Sequence, residues 1–386
     1  MKKQDYQKLE DTYEMGTYPK RDIVLVSGSG ATVKDCEGRT YIDCTAGVGV
    51  ANVGHANPEV AKALADQSKK LITCYSIFYN DKRAELVKKL VEISPKNLKK
   101  VFLSNSGAES VEAAIKFARS TTGKQEIIAM MRGFHGKTMG ALSTTWTKDY
   151  QEPFAPLMPA VKHIPANNLE KLESAITENT AAVMLELVQG EGGVRPLDKE
   201  FIKKVRELTK KKKIIMIVDE VQTGFGRTGK MFACEHYSVE PDIMCCAKAI
   251  AGGIPMGATL CTEAITVPKK SHTTTFGGSP LACAASLATL KYIKDNKLVE
   301  KSAKNGEYFV EKLKAINSPK IREIRAMGLM IGVELKEKSG PYMNLLAEKG
   351  VLALLAGPTV VRFLPPLVIT KEQIDEVVKA FEEVLS

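Results

Sequence analysis

Residues 214–257 read IIMIVDEVQTGFGRTGKMFACEHYSVEPDIMCCAKAIAGGIPMG. Ile214 to Val218 form a continuous apolar run rich in β-branched side chains, which suits a strand buried on both faces of a parallel sheet. Asp219 stands at its carboxyl end, where open α/β sheets bind their ligands. A second short apolar run, Asp242 to Ala247, delivers Lys248 just ahead of the glycine pair Gly252 and Gly253. An acid and an amine are therefore expected at two neighbouring strand exits.

That pairing has a specific chemical use. Pyridoxal phosphate needs a lysine amine to bond its aldehyde and a carboxylate to keep its pyridine nitrogen protonated. Asp219 and Lys248 suit those posts, although an acid and an amine also serve as a buried ion pair or as solvated surface groups. Two glycine motifs in the same stretch point elsewhere. Gly224 to Gly229 match a dinucleotide fingerprint, and Gly224 to Lys230 match most of a phosphate-binding loop, which leaves a nucleotide-binding protein as a distant alternative. Against both, Glu220 to Thr223 separate the strand from the glycines, no amphipathic helix follows, and Met231 stands where a magnesium-binding hydroxyl belongs.

A chain of 386 residues, 44% of them hydrophobic, can bury a large core and is expected to form two packed units. The 55 basic and 45 acidic residues leave a net charge of +10, but the lysines are spread along the chain, so nucleic-acid binding is not implied. The dense run Lys210 to Lys213 closes a helical pattern that begins at Phe201, where cations suit the negative helix end. Eight cysteines without Cys-x-x-Cys spacing read as reduced core thiols of a cytoplasmic protein, and five scattered histidines offer no metal site. No signal peptide and no apolar run of membrane-spanning length is expected.

Along the chain, residues 1–20 read as a polar helix or arm. Ile23 to Asp43 read as a small antiparallel sheet, and Gly47 to Gly54 as an apolar, irregular loop. Val101 to Ser104 form a strand, and the helix that follows is capped by Ser106 with Glu109 three residues on, a capping box whose free amides also suit a phosphate. Phe134 follows another strand and is placed to stack on an aromatic cofactor. Glu186 sits inside an apolar run, and Glu191 in the glycine loop beyond it. Strands near 101, 127, 161, 183, 215, 243 and 257, several separated by helices, indicate an α/β fold with a mostly parallel central sheet. Beyond a long helical region from Pro280, the tail reads as a smaller α+β unit. The expected division is residues 1–50 as arm and small-unit sheet, 51–284 as the large unit, and 285–386 as the small one.

Seven segments in one order, SNSGAESVEAA (104–114), GFHGKT (133–138), QGEGG (189–193), DEVQTGFGRTGK (219–230), Lys248 with Gly252 and Gly253, TTFGGSP (274–280) and VRFLPP (361–366), resemble the class III pyridoxal-phosphate aminotransferases. This is the fold-type-I group that contains the ornithine and acetylornithine enzymes. The resemblance implies that Lys248 bonds the cofactor and then moves the substrate proton, while Asp219 holds the pyridinium and Gln222 the ring hydroxyl. It further implies that Phe134 stacks on the ring, that Ser106, Gly107 and Ala108 hold the phosphate, and that Thr275 reaches it from the partner of a homodimer with shared active sites. For glutamate or 2-oxoglutarate it assigns the α-carboxylate to Arg362, which Glu191 pairs when an ω-amino substrate is bound. Lys137 would grip the distal carboxylate, with Thr274 also at the substrate.

Here the chain departs from the family pattern, which has arginine at 137, asparagine at 279 and proline at 187; a lysine is a point charge without the guanidinium fork. Within the family, residues 131–143, 152–157, 318–338 and 351–369 are most similar to the branch that serves carrier-protein-linked lysine biosynthesis, archaeal versions of which also serve ornithine synthesis. The resemblance thus implies an aminoadipate semialdehyde tethered to a small acidic carrier, which a +10 chain complements. The alternative is acetylornithine or ornithine as free substrates.

Overall fold

The computed structural model describes residues 1–386. A polar helix, Lys3–Tyr13, precedes β1 (Leu25–Ser29), β2 (Thr32–Asp35) and β3 (Thr40–Asp43). Helices Pro58–Ser68 and Asp81–Ile93 lead to β4 (Leu98–Ser104), then the helix Gly107–Thr122. There follow β5 (Glu126–Met130), β6 (Val161–Ile164), β7 (Thr180–Leu185) and the two-residue hairpin strands β8 (Val188–Gln189) and β9 (Arg195–Pro196). The helix Lys199–Lys212 then precedes β10 (Ile215–Asp219), β11 (Ile243–Cys246) and β12 (Gly257–Thr262). Beyond helices Pro280–Asp295 and Leu298–Ala315 come β13 (Ile321–Met327), β14 (Met330–Leu335), helix Gly340–Glu348, β15 (Val351–Leu352), β16 (Leu354–Leu355), β17 (Val360–Phe363) and helix Lys371–Leu385.

The seven strands expected from the sequence make one sheet, in the order β4-β12-β11-β10-β7-β5-β6. Only β12 runs against its neighbours. Every residue of β7 and β11 is buried, as is β10 beyond Ile215, because helices cover both faces and no side of these strands meets water. The helix Lys199–Lys212 shows how the covering works: Phe201, Ile202, Val205 and Thr209 share its buried face, while Lys210 to Lys212 sit at the negative end.

With six strands pointing one way, their carboxyl ends share one edge. Asn105, Arg132, Glu186, Asp219 and Ala247 all lie just past or at those ends, and this is where a ligand site belongs.

Two smaller sheets flank the large one. One has the order β13-β14-β17-β16. The other, β1-β2-β3-β15, departs from the expected local antiparallel sheet, because β15 joins β3 in parallel with Val351 opposite Ile42. A pairing across so much chain leaves no trace in local pattern. The helical region from Pro280 is two helices, and the expected division at 284/285 falls inside the first, which packs on Pro58–Ser68 and Asp81–Ile93. The Gly224–Lys230 run forms turns, buried from Gly224 to Thr228, with no following helix at the phosphate-loop position, and Arg227 in it is fully buried, so the nucleotide-binding alternative fails.

Candidate active site

A cavity of about 370 Å³ opens at the shared strand edge. Its walls include Ser106, Gly107, Ala108, Phe134, Glu191, Asp219, Gln222 and Lys248, eight of the residues singled out in the sequence. Asp219 ends β10 and the others lie on segments that follow strands, so the sheet sets their spacing.

The wall after β4 differs from the expected capping box in a useful way. Ser106 Oγ accepts the Glu109 amide at 3.1 Å, as a cap should. The Glu109 carboxylate, however, reaches back to Asn105, accepting from its backbone N–H at 2.6 Å and its side chain at 2.9 Å. The amides of Ser106, Gly107 and Ala108 therefore have no acceptor in the chain. Three free N–H groups at the positive end of a 16-residue helix suit an anion such as phosphate. Gly107 is required here, because a Cβ on it would lie 2.7 Å from Val221 Cγ1.

Across the cavity, Asp219 is fixed on both carboxylate oxygens. Oδ1 accepts the Val221 amide at 3.0 Å, and Oδ2 lies 2.8 Å from His135 Nδ1. Both side chains are buried. Burial works to lower the His135 pKa, yet the hydrogen bond to Asp219 and the charges of Asp219 and Glu186 outweigh it, and the imidazole is raised above its ordinary value. His135 Nε2 is buried with no partner. The sequence reading gave His135 no role: its partner lies 84 residues away, and the only local clue was a titratable ring beside Phe134 at a strand exit.

Glu186, noticed in the sequence but given no role, also faces the cavity. Its carboxylate accepts the Phe134 amide at 2.9 Å and the Gly190 amide at 3.2 Å, so it clasps the two loops that carry Phe134 and Glu191. Burial pushes this carboxyl up to about 7.

Lys248 begins a tight 3-10 turn directly after β11, with a left-handed backbone (φ 45°) that few side chains adopt without a compensating role. Desolvation lowers its pKa, opposed by Glu191 and assisted by Arg362, which favours a neutral amine.

Arg362 adjoins this cavity from β17. Its Nη2 lies 2.7 Å from Glu191 Oε1 and its Nη1 donates to Gln222 Oε1 at 3.2 Å. Gly190 is needed for that contact, since a Cβ there would fall 2.2 Å from Gln222 Oε1. The guanidinium is 2% exposed with Nε unpartnered, and its planar donors suit a carboxylate.

Besides Arg362, which adjoins the cavity through Glu191 and Gln222, three expected residues are not among its walls. Lys137 is exposed, with Nζ 4.3 Å from the centre of the Tyr150 ring. Thr274 Oγ1 accepts from the Asn105 side chain at 3.1 Å, and Thr275 is exposed.

The free amides, the carboxylate locked beside a histidine, the amine and the aromatic wall fit pyridoxal phosphate. Comparison with known proteins agrees. The class-III aminotransferase profile matches residues 15–385, and the chain belongs to that family of pyridoxal-phosphate-dependent transaminases. It is 52% identical to the [LysW]-aminoadipate semialdehyde transaminase of Deinococcus radiodurans over 98% of this chain and 89% of that enzyme. To the acetylornithine aminotransferase of Methanosarcina acetivorans it is 46% identical, over 97% and 94% of the two chains. The crystal structure of ornithine aminotransferase from Toxoplasma gondii superposes with a TM-score of 0.96 at 32% identity, covering 100% of this chain and 95% of that one. The fold is accordingly the α/β fold-type-I arrangement.

Proposed function

We propose that this transaminase moves an amino group between glutamate or 2-oxoglutarate and the terminal semialdehyde of a carrier-protein-linked aminoadipate, in lysine biosynthesis, or glutamate, in ornithine and arginine biosynthesis. The observation that carries the reading is the Arg362–Glu191 pair beside Lys248, a buried guanidinium against a half-buried carboxylate. One guanidinium that can be either neutralised or free lets a single cavity take a substrate with an α-carboxylate and one without. The 52% identity to a [LysW]-aminoadipate semialdehyde transaminase supports the carrier-linked form, and the net charge of +10 favours an acidic carrier. Acetylornithine or ornithine as free substrates is the second reading, favoured by the 46% identity to an acetylornithine aminotransferase.

When bound, pyridoxal phosphate supplies an aldehyde that condenses with amines and a protonated ring that withdraws electrons. The Ser106, Gly107 and Ala108 amides, with the Ser106 hydroxyl, would hold its phosphate. Asp219, hydrogen-bonded to His135, would hold the pyridine nitrogen, Gln222 the ring hydroxyl, and Phe134 the ring face. Lys248 Nζ, its neutral form favoured by desolvation, takes the proton from the substrate carbon that bears nitrogen. Arg362 orients the substrate carboxylate. Lys137 and Thr274 are assigned to the outer end of the substrate.

A homodimer with shared active sites is part of the reading, with Thr275 completing the partner's phosphate site. It is supported by the exposed apolar side chains of Leu71, Ile72, Tyr75, Ile77, Phe78 and Tyr79, a run that solvent does not favour. We also propose a cytoplasmic location, supported by eight free cysteines; no helix is long and apolar enough to cross a membrane. The division into residues 1–50, 51–284 and 285–386 is retained with the second boundary moved past Asp295, because the helix Pro280–Asp295 is continuous.

Half-reactions with carrier-linked lysine, free lysine and free acetylornithine separate the readings. The carrier-linked compound should react best; equal or faster turnover of a free compound would defeat that assignment. Lys248→Ala should abolish both the visible absorbance and every half-reaction.

A further inference from the structure

Arg227 is fully buried, yet it forms no ion pair. Its Nη1 donates to two backbone carbonyls, Pro365 at 2.6 Å and Leu329 at 2.9 Å, and its Nη2 donates to Asn52 Oδ1 at 2.6 Å. Nε has no partner. Burying an uncompensated guanidinium is costly, and desolvation pulls its pKa below the ordinary value. A group held at such a cost invites a reason beyond packing.

The two carbonyls supply one. Strands β14 and β17 pair with Ile331 opposite Phe363. Continued by two residues on each strand, that register puts Leu329 opposite Pro365, where the ladder has stopped and Pro365 has no N–H to give. Nη1 of Arg227 takes both carbonyls and so closes the ladder, while Nη2 ties that strand end to Asn52. Its own backbone carbonyl returns the contact, accepting from the Leu329 amide and the Ser302 hydroxyl, both at 3.0 Å. Asn52 completes the joint, donating to Phe225 O at 3.0 Å and accepting the Leu367 amide at 2.9 Å.

Arg362 lies on β17 three residues before Pro365, and Gln222, which touches Arg362, lies five residues before Arg227. One loop following Asp219 therefore meets the β17 strand twice, once at the guanidinium and once at the strand end. We propose that Arg227 is a positioning residue for Arg362, fixing the distance between the substrate-carboxylate site and the cofactor cavity. The proposal rests on the assignment of Arg362 to that carboxylate. It also gives the Gly224–Gly229 turns a purpose: they carry a fork to the β14–β17 strand end.

The probe is glutarate, a five-carbon dicarboxylate with no reactive nitrogen, titrated calorimetrically into holoenzyme. Lysine at 227 keeps the charge but lacks the planar two-nitrogen fork that holds the carbonyls and Asn52 together. Arg227→Lys should weaken glutarate binding roughly tenfold and raise the KM for glutamate by a similar factor, with kcat changed less. Its visible cofactor absorbance should match the unmodified enzyme. Arg362→Lys is the control and should weaken glutarate at least as much. If Arg362→Lys binds glutarate normally, the assignment of Arg362 fails; if only Arg227→Lys does, the positioning role fails. Loss of cofactor absorbance together with glutarate binding in Arg227→Lys would also overturn the proposal, marking a general structural role. Should that variant not fold, Asn52→Ala removes one of the three acceptors and should weaken glutarate by about threefold; an unchanged affinity counts against the proposal.

Discussion

Asp219 Oδ2 and His135 Nδ1 lie 2.8 Å apart in the interior, and the second ring nitrogen of His135 has no partner. The carboxylate is thus paired inside the protein, before any ligand arrives, with an imidazole whose pKa it raises against the opposing effect of burial. Asp219→Asn keeps the shape and removes the charge. It should lower both half-reactions by at least ~10² and alter the visible spectrum, read by stopped-flow absorbance. An unaltered rate would sink the role given to Asp219.

Glu191→Gln leaves Arg362 without the ionic partner that lies 2.7 Å away. Glutamate no longer has to displace a carboxylate, so its KM should fall several-fold, while the ω-amino donor meets an uncompensated guanidinium and its kcat/KM should drop by roughly tenfold. Steady-state comparison of the two half-reactions measures the shift; parallel changes in both would argue against a switch.

Glu186 gives a pH signature. Its folded-state pKa is raised from 4.5 to about 7, so between those values the folded protein holds a proton that the unfolded chain has released. Its contribution to stability is present below pH 4.5 and is lost as pH rises through 7, at up to ~1.4 kcal/mol per pH unit. Glu220, also raised to about 7, adds the same slope independently. Glu186→Gln should flatten the fall in thermal midpoint from pH 5 to pH 8. At pH 5 it should also cost about 1–3 kcal/mol, because its amide turns a donor toward either the Phe134 or the Gly190 N–H. An identical slope in the variant would refute the assignment.

Gly107→Ala forces a methyl to within 2.7 Å of Val221 Cγ1. The helix start must shift and carry the free amides with it, at about 1–3 kcal/mol. Cofactor affinity, measured by titrating apoenzyme with pyridoxal phosphate, should weaken about tenfold or more, and folding of the apoenzyme should suffer less.

The sequence was most legible where one face of physics dominates. The runs Ile215–Val218 and Ile243–Cys246 are apolar throughout because both faces are covered, and no other element writes that pattern in so few residues. The Ser106 cap, too, is a local event. What escaped depends on residues far apart in the chain: His135 meets Asp219 across 84 positions, and Arg227 meets Pro365 across 138. The Glu109 carboxylate chose Asn105 over Ser106, a rotamer decision that spacing does not encode. Lys137 and Thr275, given roles by resemblance, are exposed in the single chain.

The parallel contact of β3 with β15 has a consequence for synthesis. Ile42 leaves the ribosome about 300 residues before Val351 is made, a delay on the order of tens of seconds at ~5–20 residues per second. Throughout that time the edge of β3 is an open template for the wrong strand. That edge is covered only when two residues, Val351 and Leu352, arrive.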